Sequence, residues 1–215
     1  ASSCSGVTYT SISNSNTTYK ITPSYDNGTY RVCVIDNAGH EYTNTFTVSK
    51  IDKIAPSCGS TWSGQNTTWK KGAVTITNTP TDSGGSGVAN SFTQTFSSGT
   101  TKTTNVSYTA KDNAGNTKTC TATVNVYVDY DAPSCGTTWG GQSTSWTASN
   151  RTITNTPTDT GSGIKNTFSQ TFSSGTTKTT TVSYTATDNV GNSRSCSSSV
   201  NVAPAVLPSS STYAL

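Results

Sequence analysis

Recurring aspartates are the residues of this chain whose types and spacing could do chemistry. Eight of its ten acidic side chains recur in linkers, in Gly-rich loops and as the first residue of D-N-x-G turns. Grouped carboxylates could bind Ca²⁺ through their oxygens, and Asp52, Asp129 and Asp131 in the linkers are the candidate ligands. Asp beside Asn or Gly also forms Asx turns, and no D-x-D-x-D-G loop is present. The sequence therefore favours turn formation and predicts no cofactor. The other recurring aspartates are Asp36, Asp82, Asp112, Asp159 and Asp188.

Tryptophans form the second group of candidate functional residues. They occur as two pairs, each with a spacing of seven residues. Exposed indole rings could stack on sugars and contact a glycan. Aromatic residues of small β-domains more often pack in the core or at a domain interface, and the sequence favours that interpretation. The four residues are Trp62, Trp69, Trp139 and Trp146.

Other kinds of functional site have no support in the sequence. His40, the only histidine, stands where Asn116 and Asn192 stand in equivalent turns, so we interpret it as a turn residue and not a base. No carboxylate pair, nucleophile elbow or phosphate loop stands out, and we expect no catalytic residue and no enzymatic activity. The net charge of +3 is small and dispersed, which argues against nucleic-acid binding. No run of about 18 apolar residues indicates a membrane span.

A tandem repeat organises these positions. Cys58 recurs as Cys135, an offset of 77 (135 − 58). After one deletion in the Gly-rich loop, Cys120 recurs as Cys196 at an offset of 76 (196 − 120). A period of this length is typical of small domains arranged in series.

Disulfide bonds are expected from the six cysteines, which include no C-x-x-C pair. Such cysteine use is typical of proteins in an oxidising compartment, and we expect an extracellular or cell-surface protein. The repeat selects among the connectivities, because equivalent cysteines should behave alike. The predicted bonds are Cys58–Cys120, Cys135–Cys196 and, across an outer face or a sheet edge, Cys4–Cys33.

Short alternating segments within residues 52–129 predict β-strands. One of them places Val74 and Ile76 on the same face. A D-N-A-G-N turn at 112–116 leads into a return strand on which Cys120 faces inward. No segment has a helical period, and several short strands in each repeat favour a small β-sandwich. The other predicted strands are 91–96 and 105–110, with a turn at 97–100.

Together these motifs resemble a known family. The opening A-P-S-C, the D-S-G-G-S-G loop and Y-T-A-K-D-N-A-G-N are similar to bacterial immunoglobulin-like surface repeats of the D-N-A-G-N hairpin type. The placement of the cysteines resembles the hyalin repeat. The resemblance covers residues 52–202 and implies immunoglobulin-like sandwiches that act as stalks, spacers or adhesive units of secreted and surface proteins. A fold alone does not settle function.

The N-terminal segment departs from this pattern. D-N-A-G-H at 36–40 aligns with the turn at 112–116, and C-S-G-V at 4–7 aligns with G-S-G-V at 85–88. The segment therefore corresponds to the later two-thirds of a repeat and lacks its first two strands. We expect an all-β chain of tandem immunoglobulin-like β-sandwiches, two complete and one incomplete. The predicted divisions are 1–51 (incomplete), 52–129, 130–202 and a C-terminal tail at 203–215.

An incomplete sandwich exposes unpaired strand edges, and the tail is the candidate for filling the gap. If the tail of one molecule completes the first domain of the next, the chain self-associates head to tail. The alternatives are a fragment of a longer repeat protein, or a reduced domain that folds on its own. The candidate donor-strand residues are Val206, Leu207, Tyr213 and Leu215.

The sequence thus predicts an extracellular structural protein, the subunit of a bacterial surface filament or stalk built by strand addition. One alternative is an adhesive or glycan-binding surface module that contacts a host surface. Another is a virion fibre protein.

Overall fold

A computed structural model describes residues 4, 6, 26–83, 85–173 and 178–203. Strands and turns make up these residues. Among them there is no helix long and apolar enough to cross a membrane. The predicted all-β fold of tandem β-sandwiches is confirmed.

Two compact units divide the chain. The first comprises the residues up to 59 together with 79–91 and 109–120, and the second comprises 60–78, 92–108 and the residues from 121 onward. Two of the borders between the units fall within long strands of the second repeat. The domain limits proposed from the sequence remain a prediction.

A two-stranded antiparallel hairpin lies in the first unit. Strand β1 (Gly28–Ile35) pairs with β2 (Glu41–Val48) from Gly28↔Val48 to Ile35↔Glu41. The intervening turn is closed by Asp36, whose Oδ1 accepts hydrogen bonds from the backbone N–H of Ala38 at 2.9 Å and of His40 at 2.8 Å. His40 lies in this turn, where its Nδ1 contacts Asp36 Oδ2 at 2.9 Å.

Two three-stranded sheets form the second repeat. One has the order β3-β5-β6, and the other has the order β4-β8-β7. The pairing of β4 with β8 is parallel, while β5 pairs with its neighbours antiparallel. The strands are β3 (Trp62–Ser63), β4 (Asn66–Lys70), β5 (Val74–Asn78), β6 (Phe92–Phe96), β7 (Thr100–Lys111) and β8 (Thr117–Asp129).

The two sheets enclose an apolar core, because alternate side chains of each strand point between them. Val74 and Ile76 of β5 are 2% and 0% exposed, in the positions that the alternation predicted. They pack in one cluster with β8 residues that share the parity of Cys120. The remaining buried members of the cluster are Phe92, Val106, Val124, Val126 and Val128.

The third repeat reproduces this arrangement with fewer paired strands. Its sheets have the orders β11-β10-β9 and β12-β13, and its core contains Ile153, Val182, Val200 and Val202. Where β4 pairs with β8 in the second repeat, here the Ser143 amide donates to the Asn201 carbonyl at 2.9 Å. The strands are β9 (Trp139–Gly140), β10 (Arg151–Asn155), β11 (Phe168–Phe172), β12 (Thr179–Thr187) and β13 (Ser193–Asn201).

Three disulfides link the cysteines. Cys58–Cys120 and Cys135–Cys196, the pairs that the repeat predicts, each join Cα atoms 5.6 Å apart. Cys120 is 1% exposed, so the bond reaches into the interior. Cys4–Cys33 joins Cα atoms 6.0 Å apart, and strand alternation puts Cys33 on the face of β1 opposite to Val32.

Candidate functional site

An acidic cluster lies at the start of the second repeat, in the first unit. Carboxylate oxygens of Asp52, Asp82 and Asp112 all lie within 4.8 Å of one another. Asp52 follows β2, Asp82 begins the Gly-rich loop, and Asp112 follows β7 at the hairpin turn. The backbone N–H of Gly87 donates to Asp82 Oδ2 at 2.8 Å, and that of Asn116 donates to Asp112 Oδ1 at 2.8 Å. These bonds are the turn chemistry that the sequence favoured.

An equivalent cluster lies in the second unit. It contains Asp129, Asp159 and Asp188, again with carboxylate oxygens within 4.8 Å of one another. Asp129 is the last residue of β8, Asp159 stands in the shortened Gly-rich loop, and Asp188 follows β12. Asp129 and Asp188 are both 0% exposed. This second cluster is therefore more deeply buried than the first, in which only Asp112 is buried.

Hydrogen bonding holds one aspartate of each cluster, Asp52 and Asp129, in its charged form. Burial opposes ionisation of Asp129, but hydrogen bonds from Ser162, Thr100 and Asp131 outweigh it and hold the pKa of Asp129 below its ordinary value. Hydrogen bonds from Ser86 and then from the Ile54 amide likewise hold the pKa of Asp52 below its ordinary value. Both carboxylates are thus anionic at neutral pH.

The structure separates the three candidate calcium ligands that the sequence offered. Asp52 and Asp129 lie in separate clusters, and Asp131 belongs to neither. Asp131 is exposed, and its Oδ2 accepts a hydrogen bond from the Thr100 hydroxyl at 2.8 Å. Strand β8 ends at Asp129, and Asp131, two residues further on, lies outside the group of three carboxylates.

The grouping of linker, loop and turn aspartates was missed by the sequence reasoning, although a signal was available. The step from Asp52 to Asp129 is 77 residues and that from Asp82 to Asp159 is also 77, whereas Asp112 to Asp188 is 76. The linker, loop and turn aspartates are all present in both repeats, as expected for residues that form one site together. Only the fold brings them into contact, since they are about 30 residues apart along the chain.

Two tryptophans pack against the cores. The ring centroid of Trp62 lies 5.2 Å from that of Phe92, and Trp139 lies 5.3 Å from Phe168. Each also meets a tyrosine ring edge-on, and each packs against the core cluster of its repeat. These two partly buried residues lie where the packing interpretation puts them, with their rings against core aromatic residues.

The other two tryptophans differ from each other in exposure. Trp69 is partly buried, with its ring centroid 5.1 Å from that of Tyr127. Lys102 Nζ lies 5.5 Å from the Tyr127 ring on the same sheet. Trp146 is 51% exposed, and Ala203 takes the place of Tyr127 at the offset of 76 (203 − 127). The indole of Trp146 therefore lacks the aromatic neighbour that covers Trp69.

The β1–β2 hairpin carries an apolar face that is partly open to solvent. Strand alternation places Tyr30, Val32 and Val34 on one face, and the register adds Phe46 and Tyr42 from β2. Tyr30 and Phe46 stack with centroids 5.8 Å apart. Val32 and Val34 are 38% and 43% exposed, and Tyr42 is 68% exposed. We call these five residues the hairpin face.

The donor residues proposed from the sequence, Val206, Leu207, Tyr213 and Leu215, lie outside the described residues.

The second repeat also matches a known family. Residues 58–126 match the HYR domain. The HYR domain is the hyalin repeat, so the predicted likeness to that repeat is confirmed for this segment. The HYR segment includes Cys58 and Cys120 with the disulfide that joins them. The HYR domain and the disulfides place the protein outside the cell or at the cell surface, as a surface module.

Two solved structures show a weak likeness to most of the chain. One is described as a Ca²⁺-stabilized adhesin that helps an Antarctic bacterium bind ice; it has 16% identity, a TM-score of 0.31, and coverage of 83% of this chain and 56% of its own. The other belongs to a 1.5-MDa bacterial ice-binding adhesin, with 17% identity, a TM-score of 0.29, and coverage of 83% and 74%. This chain thus spans little more than half of the first structure. No curated protein matches the chain.

Proposed function

We propose that this chain is a structural module of an extracellular filament or stalk in which neighbouring molecules join head to tail by strand addition. The observation that carries the proposal is the exposure of Val32, Val34 and Tyr42 on the hairpin face. A two-stranded hairpin is marginally stable alone and gains stability when its apolar face or its edge is covered. The face supplies apolar side chains to bury, and each strand has one neighbour within the described residues.

The occupant that we propose is the segment 203–215 of a second copy. An added strand is held by main-chain hydrogen bonds, while alternate side chains give specificity. Tyr213 and Leu215 share one parity, so both would face the hairpin from an extended segment. Like charges would not oppose the association, because this segment contains no Lys, Arg, Asp or Glu. Repeated head-to-tail association is open-ended and produces a filament.

Electron microscopy and sedimentation velocity of the full chain would test this proposal. We expect fibres from the full chain and monomers after deletion of residues 204–215. V34T should weaken assembly, because it places a hydroxyl on the hairpin face. I35T is the matched control, since Ile35 is 42% exposed but lies on the opposite face of β1. Fibres that persist after the deletion, or equal effects of V34T and I35T, would contradict the proposal.

A glycan-binding surface module is the second candidate function. The observation that favours it is the 51% exposure of Trp146. A flat indole ring at this level of exposure can stack on the apolar face of a sugar, and adjacent hydroxyl groups can supply hydrogen bonds. Only Trp146 among the four tryptophans is in this state in the described structure.

A further inference from the structure

The second acidic cluster holds more negative charge than its surroundings offset. Asp129 and Asp188 are 0% exposed, and Asp159 lies with them. Among the described residues, no Lys or Arg forms an ion pair with any of the three. Carboxylates buried close together repel one another and lose hydration. A cation bound among them would offset both costs.

Backbone N–H groups donate hydrogen bonds that stabilise these carboxylates, but they add no full positive charge to the cluster. Asp188 Oδ1 accepts from the amides of Val190, Gly191 and Asn192 at 3.0, 2.6 and 2.8 Å. Asp159 Oδ2 accepts from the amide of Gly163 at 2.7 Å. These bonds fix the orientation of the carboxylates and hold their oxygens towards one another.

The Asn192 side chain gives an independent indication of a ligand. Asn192 is 3% exposed and lies against the cluster: its Nδ2 donates to Asp188 Oδ2 at 2.7 Å and to the Asp129 carbonyl at 3.1 Å. Its Oδ1 is buried and has no hydrogen-bond partner in the described structure. A buried acceptor without a partner costs about 1–3 kcal/mol, and an amide oxygen is a usual ligand of Ca²⁺.

We propose that Asp129, Asp159, Asp188 and the Asn192 amide form a Ca²⁺ site. All four residues offer oxygen, which Ca²⁺ prefers and which Zn²⁺ sites largely replace with nitrogen and sulfur. Two oxygens on opposite sides of one Ca²⁺ ion lie about 4.6–5.2 Å apart, against about 4.0–4.2 Å for Mg²⁺. Carboxylate oxygens that lie within 4.8 Å of one another are close enough to bind one ion of this size together. Water would complete the six to eight ligands that Ca²⁺ takes.

Bound Ca²⁺ would tie three segments of the second unit together. Asp129 ends β8, Asp159 lies in the loop before β11, and Asp188 begins the turn after β12. Close packing already brings this loop to β8: a Cβ added at Gly161 would meet Asp129 Cγ at 2.5 Å and Thr100 Cγ2 at 2.8 Å. Binding would therefore lock the end of one repeat to the loops of the next and resist local opening there.

The first cluster provides an internal comparison. Its Asp52 and Asp82 are partly exposed, and Asn116, the counterpart of Asn192, is also partly exposed. Both Asn116 and Asn192 donate from Nδ2 to the neighbouring aspartate, at 2.8 and 2.7 Å. Weaker burial means weaker repulsion to relieve and better access of competing water, so we expect the second cluster to bind Ca²⁺ more tightly.

Isothermal titration of CaCl₂ into the EDTA-treated full chain tests the site. D82N serves as the parent variant, so that the second cluster dominates the signal. We expect D82N to bind Ca²⁺ and to gain thermal stability as Ca²⁺ is added, with a smaller gain from equal MgCl₂. Adding D159N should weaken binding at least about tenfold. The D159N loop should persist, because the amide Oδ1 can still accept from Gly163.

Asp131→Asn is the matched control, since Asp131 is an exposed carboxylate near the site but outside the cluster. It should leave the affinity for Ca²⁺ unchanged. Absence of Ca²⁺ binding to the unmutated chain at millimolar concentration would overturn the proposal whatever the variants do. Equal weakening by D131N and D159N would overturn it too, because a diffuse negative surface would then explain the binding.

Discussion

The Tyr184 hydroxyl donates a hydrogen bond to Asn155 Oδ1 at 2.8 Å, in the interior of the third repeat. Asn155 is 1% exposed, and its Nδ2 in turn donates to the carbonyls of Gly136 and Thr138 at 2.8 and 3.0 Å. Tyr108 makes the same bond to Asn78 at 2.8 Å in the second repeat. A buried hydrogen bond between Tyr and Asn thus joins the two sheets of each sandwich.

Replacing Tyr184 with Phe should lower the free energy of unfolding by about 1–3 kcal/mol, because Asn155 Oδ1 would stay buried without its donor. Urea unfolding followed by far-UV circular dichroism measures the change. Y42F is the matched control: Tyr42 is 68% exposed, and its replacement should change stability by less than about 0.5 kcal/mol. Equal effects of the two substitutions would show that the buried bond contributes nothing specific.

Alkaline pH should destabilise the protein through the same two tyrosines. Burial raises the pKa of Tyr108 and of Tyr184 above the ordinary value. The unfolded chain therefore loses these protons first, so the free energy of unfolding falls as pH rises from about 10. Unfolding curves at pH 9 and pH 11 would measure the fall, and the Y108F/Y184F double variant should show a shallower pH dependence. An identical slope in that variant would refute the assignment.

Gly141 should tolerate no side chain. Its φ is +76°, and a Cβ there would run into the carbonyl oxygen of Thr152 on the paired strand. Gly191 has a φ of +94° with nothing within 4 Å of an added Cβ. G191A should therefore lose only the cost of a positive φ for a residue with a side chain, about 1–2 kcal/mol. G141A should exceed G191A in the loss of unfolding free energy, because the backbone must also move. Similar losses would mean that the carbonyl contact relaxes freely.

Loss of either repeat disulfide should cost about 4 kcal/mol in the chain-entropy description, since the bonds close loops with sequence separations of 62 and 61 residues. Calorimetry of the C58A/C120A and C135A/C196A variants would measure the two losses. We expect them to agree, because loop length and burial are matched. A loss in one pair and none in the other would show that the repeats differ in residual unfolded structure.

Glycan binding, the second candidate function, should depend on Trp146. Added glycan is expected to quench tryptophan fluorescence in the unmutated chain and not in W146A. W69A is the comparison, because Trp69 is shielded by Tyr127 at 5.1 Å between ring centroids. Quenching that survives in W146A would move the contact elsewhere, and no quenching with any glycan would exclude this second function.

Local sequence patterns predicted the strands well because strand alternation is a local property. Val74 and Ile76 share a face because side chains two residues apart in a strand point the same way, and the same rule puts alternate residues of β8 on the face of Cys120. The short strands β3 and β4, which position Trp62 and Trp69, were not predicted, since Gly64 and polar residues interrupt them. Their assignment depends on partners such as Asn78 and Val126, more than ten residues away.

Side-chain clusters were harder to predict for the same reason. The recurring aspartates were recognised as a pattern, but turn chemistry explains each of them singly, as Asp36 with its two turn amides demonstrates. That three of them meet depends on how a linker, a loop and a hairpin turn pack, which no periodicity encodes. The orphaned Oδ1 of Asn192 is a product of burial and is invisible in the sequence.

The disulfides have a mechanical consequence. Cys58 and Cys135 stand near the start of their repeats, and each is bonded to a cysteine on the last long strand. Tension applied to the chain termini would pass through the sulfur bridge and bypass the enclosed loop. At about 3.3–3.6 Å per extended residue, each loop withholds about 200 Å of contour length. When the chain is pulled from its ends, only the short segments outside each disulfide can extend. The enclosed residues can extend only after the bonds are reduced.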